Sequence, residues 1–311
     1  MSNKKISLIV PVFNEEDSIE VFINHVIPIL NSLSINYEII FIDDGSTDST
    51  LDQLIKQASL HQSIRVIEFS RNFGKEAALS AGLFEADGEA MIPIDVDLQD
   101  PPELIPGMLE KWHQGAEVVL AKRTHRANDS IHKRLTASLF YRVHNYLSGV
   151  KIPINVGDYR LMDRAVVEAL KLLPEQQRFM KGLFAWLGFK TVVIEYERTS
   201  RKEGISKYST WKLWNLALEA ITSFSSAPLK FWSYIGALGA FFSICYAAFI
   251  LIRTLIYGID IPGYASLTLL ILFFGSLQLI SIGFLGEYIS RIYIETKHRP
   301  LYIIRKKHGY K

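Results

Sequence analysis

Short apolar runs alternate with longer segments of helical periodicity through the first part of the chain. Five of these runs, rich in Ile and Val, predict buried β-strands at residues 6–10, 38–42, 66–69, 90–94 and 118–121. The segments between the runs predict helices at residues 17–33, 49–60, 74–86 and 102–112. Strands that alternate with helices indicate right-handed βαβ units. The pattern therefore predicts an α/β fold class with a mostly parallel sheet.

Two much longer apolar segments lie in the last third of the chain. Residues 231–252 and 264–286 contain no Asp, Glu, Lys or Arg. At about 1.5 Å per residue, each helix would be long enough to cross a hydrocarbon core of about 30 Å. The alternative is a pair of buried core helices, but such helices rarely run so far without a charge. We therefore expect a two-helix transmembrane hairpin.

The sequence between the α/β domain and this hairpin has an amphipathic pattern. Trp211, Trp214, Leu218 and Ile221 recur at three- and four-residue steps, which favours a helix at the membrane interface. The alternative is that this apolar stripe packs on the α/β domain. The predicted organisation has a catalytic domain at 1–206, an interfacial segment at 207–228, two transmembrane helices within 229–290 and a basic cytoplasmic tail at 291–311.

Charge and cysteine content limit the class of protein. The chain has 34 Lys and Arg against 32 Asp and Glu, so a nucleic-acid partner is not expected. Its single cysteine, Cys245, excludes an internal disulfide framework and fits a reducing compartment. A signal peptide is not expected, because the first residues are polar and the apolar run at 6–10 is short, and Lys and Arg flank the apolar pair. We therefore expect both termini and the α/β domain in the cytoplasm.

Polar loops follow four of the predicted strands, at residues 11–15, 43–48, 70–75 and 95–100. Ligands of parallel sheets bind beyond the carboxyl ends of the strands, so these loops predict one shared site. Each loop alone also fits a turn or a helix N-cap. The sequence contains neither a P-loop nor a Gly-x-Gly-x-x-Gly turn, so phosphates are not expected on a glycine-rich loop.

The most acidic of these loops, DVDLQD, predicts a metal site. Asp95 and Asp97 are two residues apart, so both side chains lie on one side of an extended chain. Carboxylate ligands without His or Cys suit Mg²⁺ or Mn²⁺ carried by substrate phosphates. The alternative is a solvated acidic turn that caps the next helix, which explains Asp100 but leaves Asp95 and Asp97 unexplained.

A cluster of basic residues follows the fifth predicted strand, and it comprises Lys122, Arg123, Arg126, Lys133 and Arg134. Such a run is commonly a solvated face. In a membrane-anchored protein the same cations can contact anionic headgroups and the phosphate of a lipid substrate.

These motifs together resemble family 2 glycosyltransferases of the GT-A fold, which is Rossmann-like. The resemblance rests on PVFNE at 11–15, DDGS at 43–46 and DVD at 95–97, in that order. The phrases NFGK at 72–75, VGDYR at 156–160 and LGEY at 285–288 resemble bactoprenol glucosyltransferases. That subfamily transfers glucose from UDP-glucose to undecaprenyl phosphate for O-antigen modification. Dolichyl-phosphate mannose synthases are more distant relatives.

The resemblance implies roles for individual residues. Those implied to bind the nucleotide sugar are Pro11, Phe13, Glu15, Asp43, Asp44, Lys75, Asp95, Arg201 and Lys207. Those implied to hold Mg²⁺ or Mn²⁺ are Asp95, Asp97 and Gln99. Those implied to hold the acceptor phosphate are Arg123, Arg126, Lys133 and Arg134. Those implied to act in catalysis are Asp158, Asp97 and Arg201, the last on a mobile loop.

The expected activity is an inverting, metal-dependent transfer at the bacterial inner membrane. A lipid phosphate has a second pKa of about 6, so it needs no base, and Asp158 can serve to orient substrate. Expected partners are a UDP-sugar, a polyprenyl phosphate, the membrane, further copies of the chain, a separate flippase and a downstream glycosyltransferase. The alternatives are the same chemistry with mannose, N-acetylglucosamine or a modified pentose, and a non-catalytic module that binds a nucleotide sugar.

Overall fold

The computed structural model describes residues 4–123, 156–176, 178, 180–196, 227–257 and 263–310. Within these ranges eight strands form one sheet in the order β7-β5-β6-β4-β1-β2-β3-β8. The strands are β1 Lys5–Val12, β2 Asn36–Asp43, β3 Ile64–Phe69, β4 Ala90–Pro93, β5 Val118–Arg123, β6 Val156–Asp163, β7 Thr191–Tyr196 and β8 Ile304–His308.

The described part of the chain contains eight α-helices, and the first six of them cover both faces of this sheet. They are α1 Ile19–Ser32, α2 Thr50–Leu60, α3 Lys75–Glu85, α4 Ile105–His113, α5 Arg164–Lys171, α6 Met180–Leu187, α7 Ala227–Tyr257 and α8 Tyr264–Thr296. Successive side chains of a strand point to opposite faces. In β1, Leu8 therefore packs into a core with Phe22 of α1, and Ile9 packs into a second core with Ala78 of α3. The predicted α/β fold is confirmed, with three layers.

The strand directions bring the ends of five strands to one edge. β1 is parallel to β2 and β4, and β2 is parallel to β3, so four carboxyl ends lie together. β6 runs antiparallel to β4 and pairs Asp163 with Ala90. The first residues of β6 consequently lie beyond the carboxyl end of β4. This reversal brings the segment around Asp158 to the predicted site.

Three strands are not predicted by the hydrophobic pattern, namely β6, β7 and β8. The last differs most from expectation, because residues 291–311 read as a basic tail. Instead α8 continues to Thr296, and Ile304–His308 pairs with β3 in antiparallel fashion. Lysine and arginine are common on edge strands, where they oppose pairing with another chain. Because these residues are mostly basic, the hydrophobic pattern does not predict this strand.

The two apolar segments are helical, as predicted, and lie within α7 and α8. Large apolar side chains stand on their surfaces, and Phe241, Phe249, Ile271 and Leu279 are each more than half exposed. None of the helices in the described part of the chain combines the length and the sustained apolarity that crossing a membrane requires. The transmembrane hairpin stays a prediction.

Candidate functional site

A lysine between two carboxylates occupies the centre of the site. Lys75, the first residue of α3, places its Nζ 2.6 and 2.9 Å from the two carboxylate oxygens of Asp95. The same Nζ lies 3.5 Å from Oδ2 of Asp158. Asp95 follows β4 and Asp158 belongs to β6, so the lysine joins the ends of two antiparallel strands. The sequence predicts all three residues individually, and the structure brings them into contact.

The electrostatics keep this cluster charged at neutral pH. Burial alone would lower the pKa of Lys75, but the charges of Asp95 and Asp158 outweigh it and raise that pKa above its ordinary value. Burial alone would raise the pKa of Asp158, but Lys181, Lys75 and Arg160 together hold it below its ordinary value. Asp158 is therefore a carboxylate at neutral pH.

Three residues of this neighbourhood are missed by sequence reasoning as site residues. Arg160 is 4% exposed, donates to the carbonyl of Gly157 at 2.7 Å and lies over the ring of Phe184. Burial lowers the pKa of Arg160 to about 10. Lys181 contributes its charge from α6. The only signal for Arg160 in the sequence is its place in the VGDYR phrase.

Glu76 is the third of them, in the first turn of α3. Burial and the charge of Asp158 raise the pKa of Glu76 to about 7, against the charges of Lys181 and Lys75. Within the described ranges, Oε2 of Glu76 and Oδ1 of Asp158 are buried without a hydrogen-bond partner. Nothing in the sequence marks this glutamate, because its burial arises from packing between distant elements.

The acidic pair that follows β2 shapes the neighbouring loop. Asp44 is 3% exposed, and its two oxygens accept hydrogen bonds from the backbone N–H groups of Phe73 and Gly74 at 2.7 and 2.9 Å. Asp43 accepts from the N–H of Ser46 at 3.3 Å. Burial raises the pKa of both carboxyls, against these hydrogen bonds. Asp44 therefore joins the loop after β2 to the loop after β3.

The loop after β1 lies beside them. The N–H of Glu15 donates to Oγ1 of Thr50 at 2.9 Å, and Oδ1 of Asn14 accepts from the N–H of Thr47 at 2.8 Å. Pro11 lies within β1, and the ring of Phe13 is 44% exposed. An exposed ring next to buried acids offers a flat apolar face for a nucleobase. The first, second and third loops are thus joined, as the sequence predicts.

The predicted metal ligands lie on the loop after β4. Oδ2 of Asp97 accepts from the amide of Gln99 at 2.6 Å, and Oδ1 accepts from the N–H of the same residue at 3.1 Å. Among the described residues, no three His, Cys, Asp or Glu side chains are grouped to hold a metal. A magnesium ion commonly takes only one or two carboxylates and completes its shell with substrate phosphates and water. Asp95, Asp97 and the amide oxygen of Gln99 fit that donor set.

Asp100, in the same loop, has a structural role. Its Oδ1 accepts a hydrogen bond from the hydroxyl of Tyr196 at 2.7 Å, and only 4% of Asp100 is exposed. The hydroxyl of Tyr159 donates to the carbonyl of Pro101 at 2.9 Å. These contacts fix the end of the acidic loop against β6 and β7.

Of the predicted basic site residues other than Lys75, one lies in β5 and the others lie outside the described ranges. Arg123 is the last residue of β5, and its backbone pairs in register with Tyr196 of β7. The remaining predicted residues lie outside the described ranges; they are Arg126, Lys133, Arg134, Arg201 and Lys207. Nearly all of the interfacial segment predicted at 207–228 also lies outside them. The described part of the site therefore comprises the loops after β1 to β4 and the first residues of β6.

Comparison with known proteins gives three findings. The family described as Glycosyl transferase family 2 matches residues 7–171. A bactoprenol glucosyl transferase derived from the SfII prophage of Shigella flexneri is 55% identical over 98% of each chain. An uncharacterized glycosyltransferase of Synechocystis sp. is 49% identical over 96% of this chain and 94% of the relative.

A solved structure is similar in part. It is the glucosyl-3-phosphoglycerate synthase of Mycobacterium tuberculosis, in complex with Mn²⁺, uridine diphosphate and glucosyl-3-phosphoglycerate. The two are 21% identical, and the similarity covers 70% of this chain and 77% of that chain with a TM-score of 0.49.

Proposed function

This chain belongs to glycosyltransferase family 2 and is a glycosyltransferase, and we propose that it transfers glucose from UDP-glucose to undecaprenyl (bactoprenol) phosphate. The geometry that best supports the proposal is the contact of Lys75 with both Asp95 and Asp158 at the carboxyl edge of the sheet. It places a cation and two carboxylates beside the loops that fit a nucleotide. The bactoprenol name of a relative that matches along its whole length supports the acceptor.

The leaving group sets the first requirement. When the bond between the sugar and the diphosphate breaks, the nucleoside diphosphate gains negative charge, which nearby cations stabilise. Lys75 has the charge for this, since its raised pKa keeps it an ammonium. The exposed ring of Phe13 and the buried Asp44 give the nucleobase a stacking face and an acceptor.

Asp95, Asp97 and Gln99 are the residues that would hold Mg²⁺ or Mn²⁺. Such an ion, when bound, neutralises charge on the diphosphate. Gln99 has a second role that its contacts support: by donating to Asp97 at 2.6 Å it fixes the orientation of that carboxylate. The acidic loop is then preorganised before the donor arrives.

The acceptor sets the second requirement. A lipid phosphate is mostly a dianion at neutral pH and attacks the anomeric carbon without losing a proton. A carboxylate with a lowered pKa is a weak base, so Asp158 is better suited to position groups than to remove protons. We assign to Asp158 the orientation of Lys75 and Lys181. Attack from the face opposite the diphosphate inverts the anomeric configuration.

The proposed location is the bacterial inner membrane, with the catalytic domain in the cytoplasm. The support is the exposed apolar surface of α7 and α8, because a large exposed apolar surface commonly marks an interaction with a membrane or a protein. A lipid acceptor requires the same location. A homo-oligomer, a separate flippase and a downstream glycosyltransferase for O-antigen complete the proposal.

The test is a transfer assay with the full chain in detergent. Short-chain polyprenyl phosphate, Mg²⁺ and a panel of UDP- and GDP-sugars are supplied, and lipid-linked sugar is detected by mass spectrometry. We expect product from UDP-glucose, its loss with EDTA, and a decrease of about 100-fold or more in Asp97→Asn.

Asp87→Asn is the matched control, because Asp87 lies before β4 at the opposite edge of the sheet and is 59% exposed at its side chain. It should retain wild-type turnover. If only another nucleotide sugar gives product, that sugar replaces UDP-glucose as the proposed donor. If the chain binds UDP but gives no product with any donor, it is a non-catalytic module.

A further inference from the structure

The segment after α8 contacts the loop that follows β3. The N–H of Ser70 donates to the carbonyl of Ile303 at 3.0 Å. The ring of Tyr302 stacks on Phe69, with centroids 5.1 Å apart and planes 9° from parallel. Phe69 in turn meets Phe73 edge to face at 5.7 Å. Tyr302 and Ile303 therefore contact the start of this loop directly, and Phe69 links Tyr302 to Phe73 at its other end.

This loop is the one that Asp44 holds. The N–H groups of Phe73 and Gly74 donate to the two oxygens of Asp44 at 2.7 and 2.9 Å. The guanidinium of Arg71 lies 4.3 Å from the centre of the Phe73 ring. A displacement of Phe73 would therefore move a partner of Asp44. Three successive contacts lead from Tyr302 to the carboxylate assigned to the nucleobase.

Contacts other than the stacking of Tyr302 on Phe69 also hold β8 in place. Its ladder with β3 is accompanied by an ion pair of Glu68 with Arg305 at 3.5 Å and by a hydrogen bond between Glu68 and His308 at 3.2 Å. Lys307 pairs with Glu85 of α3. These contacts hold the strand through residues other than Tyr302. A change at Tyr302 therefore need not detach β8.

The segment that leads to β8 begins at the end of α8. Glu295, next to the last residue of α8, accepts the N–H of Gln176 through both oxygens, at 2.9 and 3.1 Å. Only the short stretch from Lys297 separates this helix from Tyr302. The chain thus runs from the exposed apolar helix α8 to the residues that contact the loop after β3, which is called the donor loop (residues 70–74) below.

We propose that Tyr302 is a positioning residue for the nucleotide donor, and that the segment from α8 to β8 fixes the loop at residues 70–74 in its binding conformation. This inference rests on the proposed function, since it assigns the loop to UDP-glucose. It adds a determinant of donor affinity that lies far along the chain from the nucleotide loops.

The experiment measures binding of UDP to the full chain in detergent by calorimetry, with the KM values for UDP-glucose and for polyprenyl phosphate. Tyr302→Ala should raise the Kd for UDP and the KM for UDP-glucose by about 3- to 10-fold, the value of one aromatic pair. The KM for polyprenyl phosphate should change less than about 2-fold. Tyr302→Phe keeps the ring and should restore wild-type values. Tyr302→Leu fills the space without stacking and should resemble Tyr302→Ala.

Tyr310→Ala is the matched control. Tyr310 follows His308, which pairs with Val66 near the start of β3, and the Arg65 guanidinium lies 4.9 Å from the centre of its ring. It should lower the thermal midpoint without changing the Kd for UDP. If folded Tyr302→Ala and Tyr302→Leu bind UDP with the wild-type Kd, this inference is wrong but the proposed function is unaffected. The same holds if Tyr310→Ala raises the Kd for UDP as much as Tyr302→Ala does. Wild-type protein that binds no UDP would overturn the proposed function and this inference with it.

Discussion

At the scale of single residues, the site is a balance of charges around α3. Lys75 faces Asp95 and Asp158, while Glu76, the next residue, is buried beside Asp158. Two adjacent residues of one helix thus have opposite effects on Asp158: the lysine stabilises its charge and the glutamate opposes it. The protein tolerates this because Glu76 can hold a proton near neutral pH.

The protonation of Glu76 predicts how stability depends on pH. An unfolded glutamate loses its proton near 4.5, whereas folded Glu76 keeps it until about 7. Its contribution to stability is therefore complete below 4.5 and decreases as the pH rises towards 7. Glu76→Gln carries no charge at any pH. We expect this variant to exceed the wild type in stability by about 3 kcal/mol at pH 8, with little difference at low pH.

Thermal unfolding at several pH values measures this difference. The control is Glu110→Gln, a surface change on α4, where Glu110 accepts from Gln114 at 3.0 Å. This exposed variant should show no comparable gain in stability at pH 8. A stability difference for Glu76→Gln that does not vary between pH 4 and pH 8 would show that Glu76 is not protonated near neutral pH.

At the scale of elements, the loops after β2 and β3 touch at a glycine. Gly45 has a φ of +71°, and a Cβ on it would lie 2.6 Å from the carbonyl carbon of Arg71 and 2.7 Å from the nitrogen of Asn72. Both are backbone atoms, which cannot move aside as a flexible side chain can. This close approach allows Asp44 to reach the N–H groups of the next loop.

Gly45→Ala should separate these two loops. We expect a loss of about 1 to 3 kcal/mol in stability, from the strained backbone and the contact together, and a raised KM for UDP-glucose. Gly107→Ala in helix α4 is the control, since among the described residues a Cβ there meets only Ile194 of β7, at 3.9 Å. Denaturant unfolding and initial rates give both quantities. Wild-type values for Gly45→Ala would refute the role of the glycine.

A strand can be predicted from the sequence when its own residues show a clear hydrophobic pattern. β1, β2 and β4 carry mainly apolar runs, because a central parallel strand is buried on both faces. β6 has no such run, since VGDYRLMD mixes charged and apolar residues. β8 carries Arg305, Lys306 and Lys307, which suit an exposed edge. The apolar central strands can be predicted from the sequence, whereas β6 and β8 form because of the strands that they pair with.

The same distinction holds for the site. Asp95, Asp97 and Asp44 follow strong strand signals, so their place at the sheet edge can be predicted. Only the family resemblance predicts Asp158, because its position at the site depends on the antiparallel direction of β6. Glu76 gives no signal, since its buried state requires knowledge of which helices pack around it.

At the scale of the whole molecule, a catalytic α/β domain is joined to two helices with exposed apolar surfaces. Such surfaces favour transfer into an apolar environment, at roughly 25 cal/mol for each Å² buried. We expect the expressed chain to sediment with bacterial membranes, to resist washing with high salt and to require detergent for release. A chain recovered in the supernatant without detergent, as a monodisperse species, would contradict the proposed location.

The central claim is the transfer of glucose from UDP-glucose to a lipid phosphate, and partition of labelled glucose tests it most directly. The full chain in detergent receives UDP-glucose labelled in the sugar, with or without polyprenyl phosphate. We predict that label enters the organic phase only when the lipid phosphate is present, and that Asp97→Asn abolishes the transfer. Label that stays in the aqueous phase under both conditions, as intact donor or as free glucose, would contradict the claim.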